Sequence, residues 1–322
     1  MTKARALAIF PCLACFGISP VSALDEVISV PSRTISDEDF LRGDDTSGTP
    51  VTLTGNLSGG EGDKGFPVVI LLHGTDGPRS GAAGSWLRYL NSIGIATLRL
   101  DSYTGRGLKQ ASASQGLFGQ FTQIYDAYRA ADVLAADPRI DASRIALMGF
   151  SRGGTATLYA TMTRFQEAFG PERTSIVAFL PFYPACNFEL VGELDVAHVP
   201  IREFHGTDDD WTPAAPCRSY FARLKAAGAD AVMTEYPGAL HGFDNVGNRS
   251  RYIGSANQTS RNCFRREKNG QLVNAATGKP FTYDDACVEY GPSSQYNEAA
   301  ATAAQEAVRS LLEDVFKRRD SQ

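Results

Sequence analysis

The chain has 322 residues, 43% of them hydrophobic, enough to fill one large α/β core. Its formal net charge is −5, and no basic stripe interleaved with aromatics occurs, which argues against nucleic acid as a partner. Beyond the first residues, no apolar run reaches the roughly 20 residues that a membrane-spanning helix needs.

The start reads as an export signal. Lys3 and Arg5 give a positive head, 6–16 is an apolar run, and Val21-Ser22-Ala23 is a small-residue cleavage site. Cleavage there leaves a mature chain from Leu24, periplasmic or secreted. Four cysteines remain: Cys186, Cys217, Cys263 and Cys287. An even number in an oxidising compartment points to two disulfides, with three possible pairings. Cys186–Cys217 with Cys263–Cys287 is preferred, because the second pair brackets a polar segment with little else to hold it. No close cysteine pair or histidine cluster supports a metal site.

Residues 24–65 are polar, with a possible hairpin strand at 51–57. From there the pattern becomes regular. Strands are expected at 67–72, 95–100, 145–148, 176–180, 201–205 and 231–236, and helices at 85–93, 121–136 and 214–227. A closing helix is expected over 298–318. Strands alternating with helices at this spacing imply a mostly parallel, twisted sheet covered on both faces, an α/β fold. The mature chain, 24–322, reads as one such domain. Residues 245–297 show no periodicity and are long for a loop. A substrate-facing excursion and a surface decoration fit that segment about equally.

The chemistry concentrates at Gly149-Phe150-Ser151-Arg152-Gly153, a G-x-S-x-G turn between an apolar strand and a helical run. Such a turn strains the serine backbone and pushes its hydroxyl above the sheet edge. A serine needs a base to take its proton, and the base needs a third group to orient it. Of the four histidines, His241 follows the last strand, at the carboxyl edge where open α/β sheets bind ligands. His205 reads as a strand-end histidine bonded to backbone. The acid is expected in Asp208-Asp209-Asp210: Asp209 by its spacing from Gly206, with Asp210 as the alternative. Acyl transfer also needs N–H donors for the oxyanion. The backbone of Arg152, after the nucleophile, and that of Thr75, in the turn after 67–72, are the candidates. His73 is expected to brace that turn. Trp211, Tyr103 and Arg106 are candidate pocket residues, and for Arg106 and Arg152 two readings stand open, a contact to a substrate carboxylate or a surface arginine with a solvated head.

Taken together, His73-Gly74, the elbow from Gly149 to Gly154, the stretch from Gly206 to Pro213 and His241-Gly242-Phe243 resemble the α/β-hydrolase superfamily, most closely the dienelactone hydrolase family. The resemblance covers about 66–244 plus the closing helix. It implies hydrolysis of small-molecule esters or lactones without metal or cofactor. The dienelactone hydrolases proper carry a cysteine nucleophile where this chain has Ser151, which points to a general serine carboxylesterase. A prolyl-oligopeptidase-type amidase shares the same core, but some 40 residues before it cannot supply the usual propeller. A non-catalytic binding protein is the remaining alternative, and such proteins usually lack a triad member.

Overall fold

The computed structural model describes residues 24–62, 65–79 and 81–320. The expected export signal, 1–23, lies outside the described residues. The strands are β1 (Leu24–Thr34), β2 (Thr49–Gly59), β3 (Phe66–Leu72), β4 (Ala96–Asp101), β5 (Ile140–Phe150), β6 (Ile176–Phe182), the short β7 (Phe188–Glu189), β8 (Ile201–Gly206) and β9 (Ala231–Tyr236). The helices are α1 (Asp37–Arg42), α2 (Gly81–Ser92), α3 (Thr122–Ala135), α4 (Arg152–Tyr159), α5 (Thr163–Phe169), α6 (Ala214–Ala226) and α7 (Glu298–Asp320).

Eight strands form one sheet in the order β1-β2-β4-β3-β5-β6-β8-β9. The six from β4 to β9 run parallel, and β1 and β2 add an antiparallel edge. This is the expected α/β architecture. The edge strand β1 is an addition, since its sequence reads as a polar segment. It buries little beyond Leu24, Val30 and Ser32, so its apolar signal is weak.

The alternation of the strands divides the core. In β3, Val68, Ile70 and Leu72 face α1, α3, α4 and α6, while Val69 and Leu71 face α2 and α7. In β5, Ile145 and Leu147 take the first face, and Ala146, Met148 and Phe150 the second. A sheet buried on both faces explains the continuous apolar runs in the sequence. No helix among the described residues is long and apolar enough to cross a membrane.

Residues 245–297 are more ordered than their composition implies. They contain short paired strands, one of them a hairpin, β12 (Arg265–Lys268) to β13 (Gln271–Asn274), that extends β7 into a three-stranded sheet. Here β10 is Tyr252–Ile253 and β11 Gln258–Thr259. Asn269 and Gly270, both at positive φ, make the hairpin turn. Among the described residues two disulfides are present, Cys186–Cys217 and Cys263–Cys287, and the second closes this segment.

Candidate active site

Ser151 lies between β5 and α4 with φ 55° and ψ −116°, a conformation few side chains adopt. The turn is held by close backbone approach. A Cβ on Gly149 would come within 2.1 Å of the Gly153 carbonyl oxygen, and one on Gly153 within 2.3 Å of the Leu72 carbonyl oxygen. Only glycine fits at either place. The Ser151 N–H donates to the Phe182 carbonyl at 3.0 Å, fixing the turn to β6.

Three loops at the carboxyl edge converge on this hydroxyl. Ser151 Oγ is 3.0 Å from His241 Nε2, and His241 Nδ1 is 2.7 Å from Asp209 Oδ2. The other Asp209 oxygen accepts the N–H groups of Trp211 (2.8 Å) and Thr212 (2.9 Å). Asp209 and His241 are both about 5% exposed, so water competes little for these bonds. Burial pushes the Asp209 carboxyl up. His241 and His205, facing it with charge and hydrogen bonds, outweigh this and hold it well below the usual carboxylate range. Asp210 turns away and accepts the N–H (2.7 Å) and hydroxyl (3.0 Å) of Ser293.

Arg152 is the first residue of α4, where an N–H has no partner within its own helix. The loop after β3 passes close by: a Cβ on Gly74 would lie 3.2 Å from that of Ser151. Thr75 and Arg152 therefore both border the space in front of the hydroxyl. His73 Nδ1 meets the Gly74 carbonyl at 2.8 Å and its Nε2 accepts the Ser102 N–H at 3.2 Å, tying this loop to the end of β4.

A sequence model of the dienelactone hydrolase family matches residues 63–316. The chain belongs to that family. Among solved structures, it is similar to a dienelactone hydrolase-like promiscuous phosphotriesterase from metagenomic libraries, at 18% identity and TM-score 0.58, covering 91% of this chain and 99% of that one. It is also similar to a thermophilic esterase from the planctomycete Thermogutta terrifontis, at 18% identity and TM-score 0.50, covering 69% and 85%. At these identities the likeness concerns the fold.

In this member of the dienelactone hydrolase family, two hollows flank Ser151. One, of about 50 Å³, is walled by His241, Gly242, Asn245, Asn248 and Ser294. The other, of about 30 Å³, is walled by Gln115, Arg152, Thr155, Arg265 and Tyr283. Thr75 and Trp211 border both. The segment 245–297 thus supplies walls on either side of the serine.

Of the pocket candidates, Trp211 lines both hollows, its ring 5.0 Å from the His241 ring. Tyr103 and Arg106 do not. Tyr103 is fully buried, packed edge-on against His73 at 4.4 Å and Phe118 at 5.0 Å. Arg106 is turned inward to a buried ion pair with Asp126 at 2.8 Å, and also donates to the Ser102 and Arg33 carbonyls. Its guanidinium is saturated, so it cannot meet a substrate carboxylate. The Arg152 side chain likewise donates to the carbonyls of Gln115, Phe118 and Gly119 and holds their loop in place.

Several contacts at the site have no signal in the sequence. Thr212 Oγ1 is 3.1 Å from His241 Nδ1 and 3.2 Å from Asp209 Oδ2, bridging acid and imidazole. The Tyr183 ring packs edge-on at 4.6 Å from that of His241. His205 does bond backbone, the Thr212 carbonyl at 2.6 Å, as expected. It also meets Glu203 at 2.5 Å and stands 3.5 Å from Asp209. Burial alone would push the His205 imidazole down. The Glu203 and Asp209 carboxylates outweigh that and raise it to about 10.

Proposed function

We propose that the protein is an exported serine esterase that cleaves carboxylic esters, lactones included, through an acyl-Ser151 intermediate. The observation that carries this reading is the chain of contacts from Ser151 Oγ through the His241 ring to Asp209. The carboxylate accepts from Nδ1–H, which leaves Nε2 bare to take the serine proton. Oγ then attacks the ester carbonyl. The oxyanion is received by the N–H groups of Thr75 and Arg152, which need no reorganisation as charge develops. His241 returns the proton to the leaving alcohol, and a water activated by the same imidazole clears the acyl group. Two disulfides support an oxidising location outside the cytoplasm.

The test is kinetic. Ser151→Ala should lower kcat on p-nitrophenyl acetate by several orders of magnitude with its melting curve unchanged, and Asp209→Asn should lower kcat by on the order of 10⁴. Wild-type turnover by folded Ser151→Ala protein would refute the assignment.

A further inference from the structure

The proposed chemistry orients the substrate. The leaving oxygen must sit within reach of His241 to receive its proton. The alcohol therefore occupies the hollow walled by His241, Asn245, Asn248 and Ser294. The acyl group is left with the opposite hollow, beside Arg152 and Thr155.

That acyl hollow measures about 30 Å³, room for two or three water-sized groups, since a single water needs about 10–15 Å³. Behind it lies a far larger cavity of about 430 Å³, in which Leu117, Phe118, Leu272 and Phe281 stand among polar residues such as Asp37, Gln258 and Asp284. Gln120, Arg265 and Tyr283 face both spaces, so they form the partition between them. The partition is tied shut across the fold. The Tyr283 hydroxyl lies 3.2 Å from Gln115 Oε1 and 3.1 Å from Gln120 Oε1, which joins the segment 245–297 to the loop before α3. Its ring packs edge-on at 5.3 Å against Phe281. Arg265 is fixed by Asn187 Oδ1 at 2.5 Å and by the face of Phe188, 3.7 Å from its guanidinium carbon. The Cys263–Cys287 disulfide anchors the backbone on either side of both residues.

We infer that Tyr283 is a specificity-determining residue that closes the acyl side of the site, so that the protein hydrolyses esters of two- and three-carbon acids and turns away longer chains. The inference rests on the reading of Ser151 as nucleophile and His241 as base. A longer chain must break the Tyr283 contacts to reach the larger cavity. Removing the ring joins the two spaces and gives the chain a lining to pack against.

The experiment is a series of p-nitrophenyl esters from acetate to octanoate, run on wild type, Tyr283→Phe and Tyr283→Ala, with fluorophosphonate labelling of Ser151 alongside. In wild type, kcat/KM should fall on the order of 100-fold between propionate and hexanoate, the scale of discrimination that a tight pocket provides. In Tyr283→Ala the hexanoate-to-acetate ratio should rise by at least roughly tenfold. Tyr283→Phe keeps the ring and loses its hydrogen bonds, and should fall between the two. A wild type that cleaves hexanoate as well as acetate, or labelled Tyr283→Ala protein with an unaltered ratio, overturns this inference and leaves the nucleophile reading standing. No hydrolysis of any ester, with Ser151 unlabelled, overturns both.

Discussion

His205 Nε2 lies 3.5 Å from Asp209 Oδ2, the same oxygen that His241 Nδ1 meets at 2.7 Å. One buried carboxylate is thus shared by two imidazoles, one facing Ser151 and one facing the interior. The inner ring is sandwiched between Glu203 and Asp209 and is fully buried.

This arrangement has a pH signature. The His205 value rises from 6.5 to about 10 on folding, so its contribution to stability is complete below 6.5 and is lost as pH climbs towards 10. Thermal melts of wild type and His205→Asn between pH 6 and pH 10 isolate the effect. The gap between the two proteins should be widest at the acid end and narrow steadily above neutrality. Parallel curves across the range would show that His205 carries no charge in the folded protein.

Arg106 should matter for stability and not for specificity. Its partner Asp126 is fully buried, and removing one side of such a pair strands a charge, at a cost of about 3–5 kcal/mol. Urea unfolding of Arg106→Met should show a loss on that scale. Relative kcat/KM values for neutral and carboxylate-bearing esters should stay as in wild type. A selective loss on the anionic esters would restore Arg106 to the pocket.

The elbow, the Asp209 and His241 loops and the parallel strands were legible because each rests on local rules. A buried strand must be apolar throughout, and Gly149 and Gly153 are required by backbone contact. Tyr103 and Arg106 were misplaced for a different reason. Standing just after a strand locates a residue at the sheet edge but does not fix where its side chain turns. Here the pull of the His73 and Phe118 rings and of Asp126 decides the direction. His205 and Thr212 were visible as residues, but their joint contact with Asp209 exists only once β8 and the loop after it are in place. In 245–297 the Asn269-Gly270 pair does signal a hairpin, yet its four-residue strands are swamped by polar surroundings.

The Cys263–Cys287 bridge spans 24 residues, a loop whose closure is worth about 3 kcal/mol in the chain-entropy model. Replacing both cysteines by alanine should therefore loosen this segment first. Limited proteolysis should cut within 245–297 faster than in wild type while the sheet stays protected, and ester turnover should fall as the walls around Ser151 loosen. Equal cleavage rates and equal turnover would show that the hydrogen bonds of the segment hold it without the bridge.

The most direct test of the central claim is to identify the residue that a fluorophosphonate modifies. Peptide mass spectrometry of the labelled wild-type protein should place the adduct on Ser151, with labelling abolished in Ser151→Ala and slowed by orders of magnitude in His241→Ala. An adduct on another residue, or an unlabelled Ser151 in folded protein, would contradict the account.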